Sequence, residues 1–395
     1  MNHHDYNNNP AFCPAPWTAI YIDSTGYIDN CCISNNRLGN AVTNDILDVM
    51  SLEKNQLIKQ QMLDGVLPAG CSGCIRNDAT TTSLRHHMLR WNSSVPLSIY
   101  NDNSFKLNYL DIRWTNICNS ACVYCAPTYS SKLAEELNIL QVVDHQKITR
   151  IKEFLIDKLK DIETVYLAGG EPMLTKENIW LLTNLYRENP DCQLIVNTNL
   201  SIINNEIFNL ICKFKKTHFV LSGEAVGEQY NYIRYGSDWE TFTKNITTLI
   251  NEHPNVKITF NLVYTALTTV SIFDYIEQIK NWGLSIRDTS ISPRHCRGLN
   301  SPAAGLLTYY NSGGGGPLDP GNLPASSVAT AISLLEHAEP DVLPLLLPVL
   351  EQLRLSGKNN RDGHAHPDLI RFLKGVDHRH GTNSKVLFPE VYADV

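Results

Sequence analysis

The chain has 395 residues, which is more than one ordinary domain and predicts two or three. Its net charge of −7 offers no basic surface for nucleic acid, and no apolar run is as long as a membrane span, so we expect neither partner. The polar N-terminus lacks the apolar core of a signal peptide, which predicts a cytoplasmic location. In that reducing compartment the eleven cysteines are expected to be metal ligands or redox thiols.

Residues 1–95 are predicted to form a small module with a hairpin, a helix and five cysteines. Two β-rich runs, residues 20–22 and 27–28, flank a Ser-Thr-Gly turn, and residues 51–63 have a helical pattern. The cysteines of the module are Cys13, Cys31, Cys32, Cys71 and Cys74. A C-x₂-C pair with two distant cysteines is also good zinc spacing, so these residues alone leave zinc and an iron–sulfur cluster open.

The most informative stretch is the C-x₃-C-x₂-C run of Cys118, Cys122 and Cys125, with Tyr124 directly before the last cysteine. Three thiolates on one short loop can hold three irons of a [4Fe–4S] cluster and leave the fourth iron open. Zinc prefers four ligands in paired units, so a three-cysteine loop fits it poorly. We therefore predict a cluster with an open coordination position.

Between residues 105 and 295, β-rich runs alternate with amphipathic helical runs, which predicts a parallel sheet covered by helices. A closed (β/α)₈ barrel takes about 250 residues, so this stretch has space for about six units. The three-cysteine loop follows the first strand and therefore lies at the edge where barrels carry their sites. The predicted strands are residues 107–113, 164–168, 193–198, 218–222, 256–264 and 285–292, and the predicted helices are residues 148–160, 178–187, 206–215, 239–251 and 271–282.

The three-cysteine loop resembles that of the radical S-adenosylmethionine (SAM) superfamily, whose fold is α/β, a partial (β/α)₆ TIM barrel. In that family SAM chelates the open iron, and an electron from the cluster cleaves SAM to a 5′-deoxyadenosyl radical. Gly169-Gly170-Glu171-Pro172 at the end of the second strand is similar to the family's GGEP segment. The resemblance implies that its backbone and Glu171 bind the amino group of SAM.

The same resemblance implies further SAM contacts at the ends of later strands. Asn197 and Asn199 are polar groups at the end of the third predicted strand, suited to hold a ribose or the substrate. Ser222 and Glu224 resemble the family's ribose-binding pair, and Arg234 resembles an arginine that contacts the SAM carboxylate. Asp-Gly often stands in the family where Gly223 and Glu224 stand here, which is a departure from the pattern. A turn role for Asn197 and a surface ion pair for Arg234 remain alternatives. Tyr124 completes the predicted cofactor-binding set.

The spacing of Cys13, Gly26 and Cys31, followed by the Cys71–Cys74 pair, is similar to the SPASM/twitch auxiliary-cluster module. In most such enzymes that module follows the barrel, whereas here it precedes it. The resemblance implies a second [4Fe–4S] cluster held by four thiolates, with Cys32 as the alternative to Cys31. A fully ligated cluster favours electron transfer or a structural role.

Residues 296–395 are predicted to be a mostly helical extension that packs on the barrel, with a Gly-rich loop near 312–317. Cys296, just past the sixth predicted strand, is a candidate hydrogen donor to a substrate radical.

The resemblance implies an enzyme that abstracts hydrogen from a C–H bond, with a ribosomally synthesised precursor peptide as the favoured substrate. Crosslinking, epimerisation and backbone excision are the outcomes that it suggests. A leader-binding protein and an electron donor such as flavodoxin or ferredoxin are the expected partners. The alternatives are oxidation or dehydrogenation of a small molecule such as a sugar or aminocyclitol and, from another class, a non-catalytic zinc-binding protein.

Overall fold

A computed structural model describes residues 9–74, 83–101, 104–140, 144–286, 290–292, 316–340, 342–356 and 364–393. Its strands form one nine-stranded sheet in the order β3-β2-β1-β4-β5-β6-β7-β8-β9. The strands are β1 (Ala19–Ile22), β2 (Tyr27–Asp29), β3 (Gly39–Asn40), β4 (Tyr109–Ile112), β5 (Thr164–Leu167), β6 (Gln193–Thr198), β7 (Lys216–Ser222), β8 (Lys257–Val263) and β9 (Ser290–Ser292).

Strands β4 to β9 follow one another in sequence order, and each is parallel to the next. This open parallel sheet confirms the predicted six-strand partial barrel. The first five predicted strands agree with the observed ones to within two residues. Among the described residues of the sixth predicted strand, Ser290–Ser292 pair with β8, whereas residues 285 and 286 are not in a strand. Residues 287–289 of the predicted strand lie outside the described part of the chain.

Helices follow the strands and are interspersed with short 3₁₀ turns. The helices are α1 (Ala15–Thr18), α2 (Ile46–Ser51), α3 (Glu53–Leu63), α4 (Leu84–Trp91), α5 (Ser131–Glu136), α6 (His145–Ile156), α7 (Glu177–Glu188), α8 (Asn205–Cys212), α9 (Gly227–Ile233), α10 (Trp239–Glu252), α11 (Ile272–Asn281), α12 (Ala325–Glu336), α13 (Leu343–Ser356), α14 (Pro367–His380) and α15 (Ser384–Leu387).

Capping residues explain where predicted helix ends were wrong. The helix predicted at residues 148–160 begins earlier, at α6, because the Asp144 side chain accepts a hydrogen bond from Lys147 N at 2.9 Å. The helix predicted at residues 51–63 is observed as α3, which begins at Glu53 because Leu52 is extended. Asp45 caps α2, which the sequence pattern did not predict.

The two faces of the sheet differ in composition because side chains alternate along each strand. Leu110, Val165 and Leu194 pack with the helices in the main hydrophobic core. Their neighbours Tyr21, Asp111 and Tyr166 are in register on the opposite face. We call this opposite face, with Tyr21, Asp111, Tyr166 and Asn197, the inner face. It is the polar side of the partial barrel.

The predicted N-terminal hairpin is confirmed and is also part of the barrel sheet. Strand β1 pairs antiparallel with β2 and parallel with β4. Lys147 of α6 reinforces this junction, since its Nζ donates to the carbonyl oxygens of Ser24, in the hairpin, and Trp114, after β4. The cysteine module is therefore joined to the barrel through a shared sheet.

The C-terminal residues contact the barrel near α9. Phe388 is fully buried, and its ring centroid lies 5.1 Å from that of Tyr232. His380 stacks on Tyr235 at 3.5 Å, and its Nε2 lies 2.9 Å from a carboxylate oxygen of Glu136. Within the described ranges, no helix combines the length and the apolar character needed to cross a membrane.

Candidate functional site

The three-cysteine loop follows β4 and is held by backbone hydrogen bonds to the residues after α9. Ala121 N donates to the carbonyl oxygen of Tyr235 at 2.7 Å, and Val123 N donates to that of Ile233 at 2.9 Å. Cys125 N donates to Cys122 O at 2.9 Å and closes a turn within the loop. The loop that carries the three thiols is thus fixed to a second barrel unit.

The GGEP segment supports the same loop from the β5 side. Glu171 N donates to the carbonyl oxygen of Ile117 at 2.7 Å, and Gly170 N donates to that of Thr115 at 3.3 Å. A Cβ on Gly170 would overlap the Ile117 carbonyl, and Gly169 has a φ of 130°, which favours glycine. The sequence predicted a close approach of backbone to a ligand here, and the structure shows a close approach to the cysteine loop.

A buried ion pair lies beside the thiols. Arg234 Nη2 is 2.7 Å from a carboxylate oxygen of Glu224, and the two side chains are only 5% and 1% exposed. Arg234 Nη1 lies 3.9 Å from Cys122 Sγ, and the Tyr124 hydroxyl donates to Glu224 at 2.9 Å. The structure therefore brings together four residues that the resemblance placed at the cofactor site. The alternative of a surface ion pair for Arg234 is wrong.

All three thiols of the loop are shifted towards the neutral form. Burial raises the pKa of Cys118 to about 12, and the neighbouring Cys122 adds to this rise. Burial also raises the pKa of Cys122 and of Cys125. Because metals bind thiolates, loading a cluster here has to release protons.

Glu171 is almost entirely occupied by hydrogen bonds within the protein. One carboxylate oxygen accepts from Thr198 Oγ1 at 2.7 Å and from Met173 N at 3.0 Å, and the other accepts from Asn199 N at 2.8 Å. Burial raises the pKa of this carboxyl to about 7. The predicted contact of Glu171 with the SAM amino group has one remaining acceptor position available. Pro172 opens the 3₁₀ turn Pro172–Leu174 next to it.

Two asparagines at the end of β6 have different surroundings. Asn197 accepts from Ser222 Oγ at 3.3 Å, so these two predicted SAM contacts lie together on the inner face. Asn199, which the sequence also indicated as a polar strand-end residue suited to the site, lies closer to the thiols, with Nδ2 4.0 Å from Cys118 Sγ and 3.0 Å from Asn119 Oδ1.

A cavity lies in the N-terminal module, with about 500 Å³ of space including its open mouth. Arg85 of α4 lines it and donates to the carbonyl oxygens of Phe12 and Asn9 at 2.6 and 2.7 Å. Burial raises the pKa of Cys13 to about 12 and of Cys71 to about 11. The cysteines that line the cavity are Cys13, Cys31, Cys71 and Cys74.

The loop that carries Cys31 is shaped by Asp29. Its carboxylate accepts from Ser34 Oγ at 2.6 Å, from Asn36 N at 2.9 Å and from Arg37 N at 3.0 Å. Asn36 in turn places Nδ2 3.8 Å from Cys71 Sγ. This network connects the two distant parts of the four-cysteine set.

Cys32 does not line this cavity. It faces Asp111 and Arg113 on the inner face, and its side chain is open to solvent. Burial of the thiol by the surrounding protein raises its pKa to about 12. Asp111 and Arg113 were not predicted as site residues, although two charged residues at a barrel strand were a visible signal.

Within the described ranges, no three His, Cys, Asp or Glu side chains are arranged to hold a metal ion as they stand. The two cysteine sets remain predicted ligand sets, because their thiols are buried or half-buried and are the donors that iron–sulfur clusters require. Cys296 lies outside the described residues.

Comparison with known proteins gives the class of this architecture. Residues 112–269 match the family model of the Radical SAM superfamily. The chain therefore contains a radical SAM domain, in agreement with the cysteine loop.

The chain is similar to GTP 3′,8-cyclases over part of its length. It is 23% identical to the one from Clostridium botulinum over 190 residues, covering 48% of this chain and 57% of the relative. It is 26% identical to the one from Syntrophomonas wolfei over 195 residues, covering 47% and 56%. The chain thus spans little more than half the length of these relatives.

Solved structures give weaker likenesses. SuiB from Streptococcus suis bound to precursor peptide SuiA has a TM-score of 0.38 and 16% identity, covering 60% of this chain and 52% of SuiB. Native anSMEcpe with bound AdoMet has a TM-score of 0.36 and 16% identity, covering 47% and 50%. With TM-scores below 0.5, neither likeness carries an argument about this chain.

Proposed function

We propose that the protein is a radical SAM enzyme that cleaves SAM reductively and abstracts a hydrogen atom from a C–H bond. The observation that carries this proposal is the position of the three cysteines. They lie on one loop at the carboxyl end of β4, between the GGEP segment and the buried Arg234–Glu224 pair. A bound SAM supplies the radical precursor, and the protein binds, orients and shields it.

In this proposal Cys118, Cys122 and Cys125 hold the cluster that binds SAM. The buried Arg234 offers a positive charge for the SAM carboxylate, because a desolvated guanidinium pairs well with carboxylates. The remaining proposed SAM contacts are Tyr124, Gly169, Gly170, Glu171, Pro172, Asn197, Ser222 and Glu224.

We assign the auxiliary [4Fe–4S] cluster to Cys13, Cys31, Cys71 and Cys74. This choice of Cys31 over Cys32 is supported by the cavity, which Cys31 lines and Cys32 does not. A cluster with four protein ligands suits electron transfer or structural support.

A ribosomally synthesised precursor peptide is the proposed substrate, supported by the resemblance of the four-cysteine module to SPASM/twitch enzymes. A leader-binding protein and a flavodoxin or ferredoxin are the proposed partners.

A small-molecule substrate is the second candidate, and it is favoured by the curated relatives, which are GTP 3′,8-cyclases. Mass spectrometry of a short peptide co-expressed from a neighbouring reading frame separates the two, since a mass change on the peptide selects the first candidate.

Our first prediction concerns SAM cleavage. Anaerobically reconstituted, dithionite-reduced protein should convert SAM to 5′-deoxyadenosine, measured by liquid chromatography and mass spectrometry. Replacing Cys118, Cys122 and Cys125 together by alanine should abolish the product, because the cluster loses its protein ligands.

The matched control is Cys212→Ala, which removes a half-buried thiol at the end of α8 and should leave the product yield unchanged. A triple variant that kept all its iron and still formed 5′-deoxyadenosine would overturn the proposal. Bound zinc without iron or sulfide in the wild type would select the zinc-binding alternative.

A further inference from the structure

We propose that Cys32 is a catalytic residue that donates a hydrogen atom to a carbon-centred radical on the inner face of the barrel. This inference rests on the proposed radical SAM function and deepens it. Cys32 does not line the four-cysteine cavity, and the proposal gives this thiol a separate role. The proposal also favours a reaction that replaces the abstracted hydrogen, as in an epimerisation, over a net oxidation of the substrate.

Position is the first argument. Cys31 lines the N-terminal cavity, whereas the adjacent Cys32 interacts with Asp111 and Arg113 on the inner face. The peptide between the two cysteines therefore passes from the proposed auxiliary cluster to the interior of the barrel. Cys32 is also open to solvent, so a small molecule or a peptide side chain can reach its sulfur.

Asp111 is the second, independent argument. Its side chain is only 1% exposed, and Oδ1 lies 3.4 Å from Arg113 Nε. In the described part of the chain, the buried Oδ2 has no well-formed hydrogen-bond partner. A buried oxygen without a donor is destabilising, and the thiol that faces this one is Cys32. The Asp111 side chain is therefore an acceptor that can orient the S–H group of Cys32.

Arg113 is a neighbour of both Cys32 and the GGEP segment. Its guanidinium lies 4.9 Å from the ring centroid of Tyr21 and 5.8 Å from that of Tyr129. Its Cβ is near Gly169, where an added Cβ would approach it to 3.4 Å. Cys32 and Gly169 thus have one neighbour in common, Arg113. In this site Asp111 and Arg113 are positioning residues.

The step balances as a hydrogen-atom transfer. The S–H bond of Cys32 breaks homolytically, a C–H bond forms on the substrate carbon, and a thiyl radical remains. One electron from a low-potential donor of the ferredoxin or flavodoxin class and one proton, delivered through Asp111, restore the thiol. The substrate then regains a hydrogen at the carbon that lost one.

The test uses the holoenzyme in D₂O with SAM and dithionite, without substrate and without any added thiol. Under these conditions the Cys32 S–H exchanges to S–D, and the 5′-deoxyadenosyl radical is the only carbon radical supplied. We expect deuterium in the 5′-deoxyadenosine formed by the wild type, measured as the labelled fraction of that product. We expect Cys32→Ala to lose the label, while Cys212→Ala retains it.

Three outcomes would overturn the proposal: unlabelled product from the wild type, an unchanged labelled fraction in Cys32→Ala, or loss of the label in Cys296→Ala instead. Failure of the proposed function itself is distinguishable, because no form of the protein would then make 5′-deoxyadenosine.

A second measurement guards against a folding defect and against a ligand role. Cys31→Ala should lose about half of the iron, since one of two clusters loses a ligand, whereas Cys32→Ala should retain the wild-type iron content. Equal iron loss in both variants would show that Cys32 is a cluster ligand.

Discussion

Glu171 is a carboxyl group in surroundings that favour its neutral form, although three donors point at it. The side chain is 1% exposed, and burial outweighs the hydrogen bonds from Met173 N, Thr198 and Asn199 N, so that its pKa rises to about 7. Its hydrogen bonds join the ends of β5 and β6. The residue that the family resemblance assigns to SAM is therefore also a structural link between two barrel units.

This raised pKa predicts a pH-dependent stability. The folded protein holds the Glu171 proton more tightly than the unfolded chain does, so the stabilising contribution is complete below about pH 4.5 and is lost as the pH rises through about 7. The loss is of the order of 3 kcal/mol. We expect the unfolding free energy of cluster-free wild type, relative to Glu171→Gln, to fall between pH 5 and pH 8 in urea titrations.

Glu171→Gln is itself the control in that comparison, because it cannot titrate and the other ionisable groups are common to both proteins. A stability difference that stayed constant with pH would show that the Glu171 carboxyl does not titrate in this range.

At the scale of elements, the end of β5 and the cysteine loop form one packed unit. Gly170 lies against the Ile117 carbonyl with no space for a side chain. We predict that Gly170→Ala displaces the loop, costs about 2 kcal/mol or more of stability and lowers the iron content of reconstituted protein. Urea unfolding and iron analysis measure the two effects.

The matched control is Gly375→Ala, in the middle of α14, where an added Cβ meets only the end of the Arg379 side chain, at 3.7 Å. Alanine favours helix by about 1 kcal/mol, so this variant should be as stable as the wild type or more stable. Similar losses in both variants would mean that close packing at Gly170 is not what supports the loop.

The elements that sequence predicted well are those with a strong local pattern. Residues 193–198 contain a short apolar run after a turn, and the predicted strand has the same bounds as β6. Helix α2 was missed, because its start depends on one capping residue, Asp45, and its six residues show little periodicity. The separation of Cys31 from Cys32 was also beyond the sequence, since it depends on how the Asp29 loop folds against β4.

For the whole molecule, the main finding that the sequence did not predict is the pairing of β1 with β4. A boundary near residue 95 divides the chain by cysteine content, but strands from both sides of it share one sheet. Strand pairing across some ninety residues is non-local and leaves no periodic signal. The predicted modules are therefore distinct in sequence and joined in structure.

That pairing predicts the result of a truncation. Removing residues 1–104 leaves β4 as an open edge strand and exposes core residues that β1 covers, such as Leu110. We expect the shortened chain to aggregate on expression, judged by soluble yield and size-exclusion chromatography. The control is the full chain with Cys13, Cys31, Cys71 and Cys74 replaced by alanine, which keeps β1. A soluble, monomeric truncated barrel would contradict this expectation.

Since β1 and β4 are parallel neighbours, the chain between them is a crossover connection, and Cys31, Cys71 and Cys74 all lie within it. The four-cysteine module is thus an enlarged connection of the barrel and not a unit appended to its end. A recombination event that exchanged residues 1–95 for an unrelated module would also remove a barrel strand. Divergence of this module is consequently constrained to insertions and substitutions after β1, with that strand inherited alongside the barrel.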